Sequence, residues 1–329
     1  MKLTVIAAGA WGTALAIAFS GRHQVTLWTR EDDVAQTMRD ERENRRFLPG
    51  HRLPDALLIG EQFDTAVAGA DLLVIATPLA GLRPTVRQLR DSGLLKPLIW
   101  VCKGMEAGTA KLPHQIVAEE LGAQTLCGAL SGPSFAEEVA QGLPTAVTLA
   151  ANHVEFGHRI ALDLHSHNLR IYANDDLPGV EVGGAVKNVM AIATGICDGL
   201  GLGLNARAAL ITRGLFEIAR LGTALGGQPQ TFMGLAGMGD LILTCTGDLS
   251  RNRRVGMALA AGKTLPQILA DLGHVAEGVS TAREVAGLAT QLGIDMPITQ
   301  AVDAILHRDE PAASAVETLL NRDPKIEMI

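Results

Sequence analysis

Apolar positions along the chain follow two different periods. Up to about residue 178, short continuous apolar runs alternate with helical stretches. The runs at 3–7 (LTVIA), 24–28 (QVTLW), 71–77 (DLLVIAT), 97–102 (PLIWVC), 125–130, 146–150 and 169–172 read as strands. Runs without polar alternation suit a parallel sheet covered on both faces. Between them, residues 13–20 form an apolar helix and 31–46 a charged amphipathic one, closed by a loop at 44–50. Beyond residue 178 helical spacing and Gly-rich turns take over and convincing strands disappear. The pattern predicts an α/β sheet domain over 1–180 and an all-helical domain over 181–329. A chain of 329 residues is long enough for two.

The first turn is the most informative corner. Strand, small-residue turn, helix and second strand follow one another at the length of one βαβ unit. The turn reads Ala7-Ala8-Gly9-Ala10-Trp11-Gly12. This is a dinucleotide fingerprint with its first glycine replaced. Gly9 lets the backbone approach a pyrophosphate, and Gly12 lets the helix pack closely on the strand. Ala7 suits the turn only if its φ stays negative. A corner of small residues without a ligand is the competing reading. At the end of the second strand Arg30 favours a 2′-phosphate, hence NADP, while Glu31 and Asp32 behind it leave room for NAD.

Residues 182–205 form the most apolar helical stretch, and between Glu181 and Asp198 they hold one charge, Lys187. Such a lysine either snorkels to water or stays dry. In the second case burial lowers its pKa toward neutrality and suits it to proton transfer. Gly183 and Gly184, one turn earlier, weaken a helix and point to close approach of a ligand or another backbone.

Other polar residues stand where open sheets and helix ends meet ligands. Lys103 follows the strand at 97–102 and reads either as a phosphate or substrate contact or as a surface lysine. Ser134 and Glu137 have the spacing of a capping box. Asp240 is the single acid in 235–246. Ser250, Arg251, Asn252, Arg253 and Arg254 suit a phosphate or begin a solvated helix. His165 and His167 lack a carboxylate or cysteine constellation, so no metal is expected.

Composition narrows the classes. Charged residues are 19% and aromatic residues 3%, so cores are built from aliphatic side chains with 36 glycines at turns and contacts. A net charge of −7 argues against nucleic acid as the main partner. The four cysteines are widely separated and imply no disulfide framework, which favours a reducing compartment. Residues 3–19 have the apolar character of a secretory leader, but the run is longer than the usual core of one. Lys187 and its neighbouring glycines interrupt the best candidate for a membrane span.

Seven pieces together resemble the soluble bacterial NAD(P)-dependent glycerol-3-phosphate dehydrogenases over nearly the whole chain. They are AGAWGTALA (8–16), WVCKG (100–104), SGPSFAEE (131–138), GGAVKN (183–188), GMGDLILTC (237–245), SRNRR (250–254) and VAEGV (275–279). Ala7 is the departure, since the family usually has glycine there. The resemblance implies an N-terminal Rossmann domain, doubly wound with a mostly parallel sheet, and a C-terminal all-α domain, usually as a homodimer. It implies reversible conversion of sn-glycerol 3-phosphate to dihydroxyacetone phosphate, in the cytoplasm, serving phospholipid synthesis. Lys187 matches the catalytic lysine. Lys103, Gly132, Ser134, Asp240, Ser250, Arg251 and Asn252 match substrate positions, with Thr244 as a further candidate. Ala10, Trp11, Arg30, Lys103, Ala136, Arg251, Val275 and Glu277 match cofactor positions. A dehydrogenase of another small hydroxy acid, or a nicotinamide sensor without turnover, are the alternatives.

Overall fold

The computed structural model describes residues 1–272 and 276–323. Its strands are β1 (Lys2–Ile6), β2 (Gln24–Trp28), β3 (Glu43–Asn44), β4 (Leu48–Arg52), β5 (Leu58–Ile59), β6 (Leu72–Ile75), β7 (Leu98–Trp100), β8 (Cys127–Ser131), β9 (Thr145–Ala151) and β10 (Leu169–Asn174). Eight of them make one sheet in the order β10-β9-β8-β7-β6-β1-β2-β5. All neighbours are parallel except β8 and β9. β1 is paired with β2 on one side and β6 on the other, so the winding direction reverses there. The crevice outside the carboxyl ends at such a reversal is where open α/β sheets bind ligands. Every side chain of β6 and β7 is buried. That is why these strands read as continuous apolar runs.

After Asn174 the described residues contain helices and turns only. The centre is the 23-residue helix Leu177–Gly199, whose N-cap Asp176 accepts from Gly179 N–H. Gly203–Ala224, Asp240–Thr246, Arg251–Ala260 and Glu277–Leu292 pack around it. Its length and composition would let it cross a membrane, yet the whole apolar window is buried inside the protein. The Lys187 charge and the glycines therefore do not lower its hydropathy as far as expected. The fold has the expected class, a mostly parallel Rossmann-like sheet followed by helices.

Three local expectations change. The charged helix expected to Arg46 spans Asp32–Glu41 and stops where Arg42 turns left-handed. The residues expected as a loop after it form the antiparallel pair β3–β4. The capping box at Ser134 does not form. The helix Ala136–Ala140 has Phe135 as its N-cap. The Ser134 hydroxyl, one residue ahead of that N-cap, instead donates to the Gly132 carbonyl at 3.0 Å.

Candidate active site

Four sheet strands deliver their carboxyl ends to one edge. β1 leads into the Gly9 turn, β6 into Pro78-Leu79, β7 into Lys103 and β8 into Gly132. The long helix passes this edge and brings Lys187 to it. A Cβ added at Gly183 would stand 2.6 Å from the Ala236 carbonyl oxygen, and one at Gly184 2.8 Å from Ser131 Oγ. The two glycines thus let the helix touch both the segment before Asp240 and the end of β8. That segment, Leu235–Gly239, is a π-helical turn, a form common at functional sites.

The contacts converge on one buried carboxylate. Lys187 is 7% exposed and Asp240 1%. Lys187 Nζ donates to Asp240 Oδ1 at 2.5 Å and to Thr244 Oγ1 at 2.8 Å. Lys103 Nζ donates to the other oxygen, Asp240 Oδ2, at 2.5 Å and to the Gly132 carbonyl at 3.3 Å. Burial lowers the Lys187 pKa and outweighs Asp240, which raises it, so that the ammonium titrates at about 8. Lys103 lowers it further by charge repulsion. Burial would raise the Asp240 pKa, but the two ammonium groups together hold it below the usual carboxylate range. The site therefore keeps the Asp240 carboxylate between Lys103 and a lysine whose ammonium is weakened by burial.

The helix Arg251–Ala260 starts beside this cluster. Ser250 caps it, accepting from Arg253 N–H at 3.2 Å. Asn252 donates to Asn188 Oδ1 at 3.0 Å and accepts from Gly278 N–H at 3.1 Å. It thereby ties the helix start to the residue after Lys187 and to the Glu277–Leu292 helix. Glu277 receives Leu79 N–H at 3.1 Å. Burial raises its pKa, against the opposing pull of Arg251, Lys103 and Lys187. Hydrogen bonds thus link Lys103, Gly132, Ser134, Lys187, Asp240 and Thr244, while Asn252 bonds the chain neighbours of Lys187 and Glu277 and the Ser250 hydroxyl bonds within its own helix start.

The arginine cluster divides differently from its sequence. Arg253 is committed to Asp198 at 2.8 Å and Asp248 at 3.0 Å, which removes it from the phosphate-binding set. Arg251 is exposed at the helix start. Asn188 was not singled out by sequence. Its signal was available, a polar side chain next to Lys187 in an otherwise apolar helix.

The nucleotide end is built on the first turn. The N-terminus of the helix Ala10–Ser20 presents its N–H groups and positive dipole end there. A Cβ at Gly9 would meet nothing within 4 Å, whereas one at Gly12 would overlap the Ala7 carbonyl at 2.2 Å. Gly9 thus leaves room for a phosphate and Gly12 for helix–strand contact, which fits a dinucleotide. Ala10, Trp11 and Ala136 pack around a small cluster of Ala14, Leu48 and Val139. Arg30 stands apart at the end of β2, its side chain 88% exposed and 3.9 Å from Glu31. Glu31 also accepts from the Thr29 hydroxyl. Ala7 contradicts the condition set for it. Its φ is 85°, the left-handed region that glycine favours. Val275 lies outside the described residues.

A doubly wound sheet with this turn, joined to a helical unit that brings a buried lysine to the sheet edge, defines a two-domain nicotinamide-dependent dehydrogenase. The profile described as NAD-dependent glycerol-3-phosphate dehydrogenase N-terminus matches residues 2–157, and the corresponding C-terminus profile matches 176–317. The chain is 68% identical over 328 residues to "Glycerol-3-phosphate dehydrogenase [NAD(P)+]" of Dechloromonas aromatica, covering 100% of both chains. It is similar to the crystal structure of glycerol-3-phosphate dehydrogenase from Coxiella burnetii, with TM-score 0.93 and 42% identity over 98% of this chain and 99% of that one. The yeast glycerol-3-phosphate dehydrogenase structure, from Saccharomyces cerevisiae, gives TM-score 0.83 at 30% identity over 97% and 99%. The chain belongs to the NAD-dependent glycerol-3-phosphate dehydrogenase family.

Proposed function

We propose that this chain interconverts sn-glycerol 3-phosphate and dihydroxyacetone phosphate with NADP or NAD, and that Lys187 moves the proton at the C2 oxygen. The observation that carries the reading is the buried Lys187–Asp240–Lys103 cluster beside the capped start of the Arg251–Ala260 helix. When bound, the nicotinamide accepts or supplies the hydride at C2. The N–H groups of that helix start, with Arg251 and Asn252, hold the substrate phosphate. Neutral Lys187 takes the C2 hydroxyl proton during oxidation. As an ammonium it donates to the developing alkoxide during reduction. Asp240 and Thr244 fix Lys187 Nζ in place, and Lys103 holds the second Asp240 oxygen and faces the substrate.

In this reading residues 1–180 hold the cofactor through Gly9, Ala10, Trp11, Gly12, Lys103 and Ala136. Residues 181–329 hold the substrate, and Arg251, Val275 and Glu277 match cofactor positions of the family. The exposed Arg30 guanidinium, with Glu31 turned to Thr29, favours NADP. We further propose a cytoplasmic homodimer that supplies glycerol 3-phosphate for phospholipid synthesis. These last points rest on the family.

The deciding experiment follows reduced-nicotinamide absorbance after addition of dihydroxyacetone phosphate, with NADPH and NADH in parallel. Substrate-dependent loss, faster with NADPH, is expected. Lys187→Ala should abolish it while cofactor titration stays near wild type. Turnover of a carboxylated hydroxy acid in place of the phosphorylated substrate would overturn the substrate reading. Near-normal turnover in Lys187→Ala would remove that residue from the chemistry.

A further inference from the structure

The short hairpin β3–β4 lies outside the large sheet, yet one of its side chains reaches into the Gly9 turn. Asn44 is 1% exposed. Its Nδ2 donates to the Ala8 carbonyl at 2.7 Å and to Thr13 Oγ1 at 2.8 Å. Its Oδ1 accepts from Phe47 N–H at 3.2 Å, which fixes the amide's orientation. The next hairpin residue but three, Leu48, packs on Ala14 and Val139 beside Ala10, Trp11 and Ala136. The hairpin is therefore anchored by its core contacts and by this one buried amide. The Thr13 hydroxyl also donates to the Ala8 carbonyl, at a longer 3.3 Å.

The bond to Ala8 has a directional consequence. In a trans peptide the carbonyl and the N–H of one unit point in opposite directions, and the described residues contain no cis peptide. Holding the Ala8 carbonyl inward against Asn44 therefore aims the Gly9 N–H outward. It points away from the Asn44 amide. The neighbouring peptide is under strain, because Ala7 occupies a φ of 85° without being glycine. A turn of this kind has reason to rotate the Ala8–Gly9 peptide unless something holds it. Rotation would replace a donor to the phosphate by a carbonyl lone pair.

We propose that Asn44 is a positioning residue for the cofactor, locking the Ala8–Gly9 peptide so that Gly9 N–H faces the pyrophosphate. The proposal rests on the cofactor reading above. It assigns to the β3–β4 hairpin the task of holding a turn whose first fingerprint glycine is missing.

The test is direct titration of the unliganded protein with NADH, followed by nicotinamide fluorescence. NADH is chosen because it lacks the titrating 2′-phosphate. Asn44→Ala should raise Kd about tenfold, the loss of one buried bond to the turn. NADPH should weaken by a similar factor, since the pyrophosphate is common to both. KM for dihydroxyacetone phosphate and kcat at saturating cofactor should change less than about twofold. Asn44→Asp separates positioning from packing. It keeps the shape and the acceptor for Phe47 N–H but sets a carboxylate against the Ala8 carbonyl. Its NADH affinity should be poor at neutral pH. It should recover toward wild type as the pH falls and the protonated carboxyl donates again, with wild type titrated at each pH as the reference. Should Asn44→Ala fail to fold, Asn44→Asp decides alone. Unchanged affinity in Asn44→Asp, or a loss equal at every pH, would overturn the proposal. Absence of NADH and NADPH binding by wild type would instead overturn the cofactor reading.

Discussion

At the scale of single residues, the deciding balance is the one around Lys187. Desolvation wins over Asp240 and leaves the group titrating at about 8. The sign of the pH dependence follows. Oxidation of glycerol 3-phosphate needs the neutral amine, so kcat/KM in that direction should rise about tenfold per pH unit below about 8 and level off above it. Reduction of dihydroxyacetone phosphate needs the ammonium, so its kcat/KM should be level below about 8 and fall above it. Asp240, held below the usual carboxylate range, stays ionised throughout. Profiles in both directions check this, and parallel profiles would contradict it. Sequence showed both groups and the conflict between their effects. It left the winner open because desolvation depends on packing from elements far apart in the chain. Ala7 is the second residue with a clear expectation. A left-handed alanine costs about 1–2 kcal/mol, and the extra unfolded-state freedom of glycine returns about 0.5–1 kcal/mol of that. Ala7→Gly should therefore stabilise the protein by about 0.5–1 kcal/mol, read as a higher urea midpoint at unchanged slope. No gain would mean that the turn is held by more than its own dihedral preference.

At the scale of elements, seven of the eight strands of the large sheet were legible and the short pieces β3, β4 and β5 were not. β6, β7 and the helix Leu177–Gly199 are buried over nearly all their length, so their apolar runs carry the signal unaided. The pair β3–β4 contains charged residues, Pro49 and Gly50, and is held by the register of Glu43 with Arg52 and by Asn44. None of that has a period. Ser134 and Ser250 make the same point in reverse. Both have capping chemistry, but only Ser250 reaches the N–H three residues on. Ser134 is taken by the Gly132 carbonyl. The start of the Arg251–Ala260 helix therefore depends on Ser250. Ser250→Ala should cost about 1 kcal/mol of stability. It should also raise KM for dihydroxyacetone phosphate several-fold, while KM for unphosphorylated dihydroxyacetone stays unchanged. A parallel rise for both substrates would separate the cap from phosphate binding.

At the scale of the whole molecule, one helix belongs to both halves. Leu177 and Val180 pack with Trp100, Ile116 and Leu73 under the sheet. From Val182 to Ile196 the same helix is the centre of the helical core. Glu181, between the two sets, accepts from His114 N–H at 2.9 Å and from the His114 ring. The sequence carries a change of pattern near residue 180, a position inside the helix Leu177–Gly199. It could not show that an unbroken helix runs through it, since a helix shared by two cores has the period of any buried helix. Sharing has an energetic consequence. Unfolding either half would expose apolar surface that the other half covers, at about 25 cal/mol per Å². The two halves should therefore unfold in one transition. The three tryptophans, Trp11, Trp28 and Trp100, all lie in the sheet half, so their fluorescence reports that half alone. Far-UV circular dichroism is weighted toward the long helices beyond residue 177. Urea curves from the two probes should superimpose, and cofactor should move both midpoints upward together. Separated curves, with fluorescence alone responding to cofactor, would mean that the helix joins the halves without coupling them.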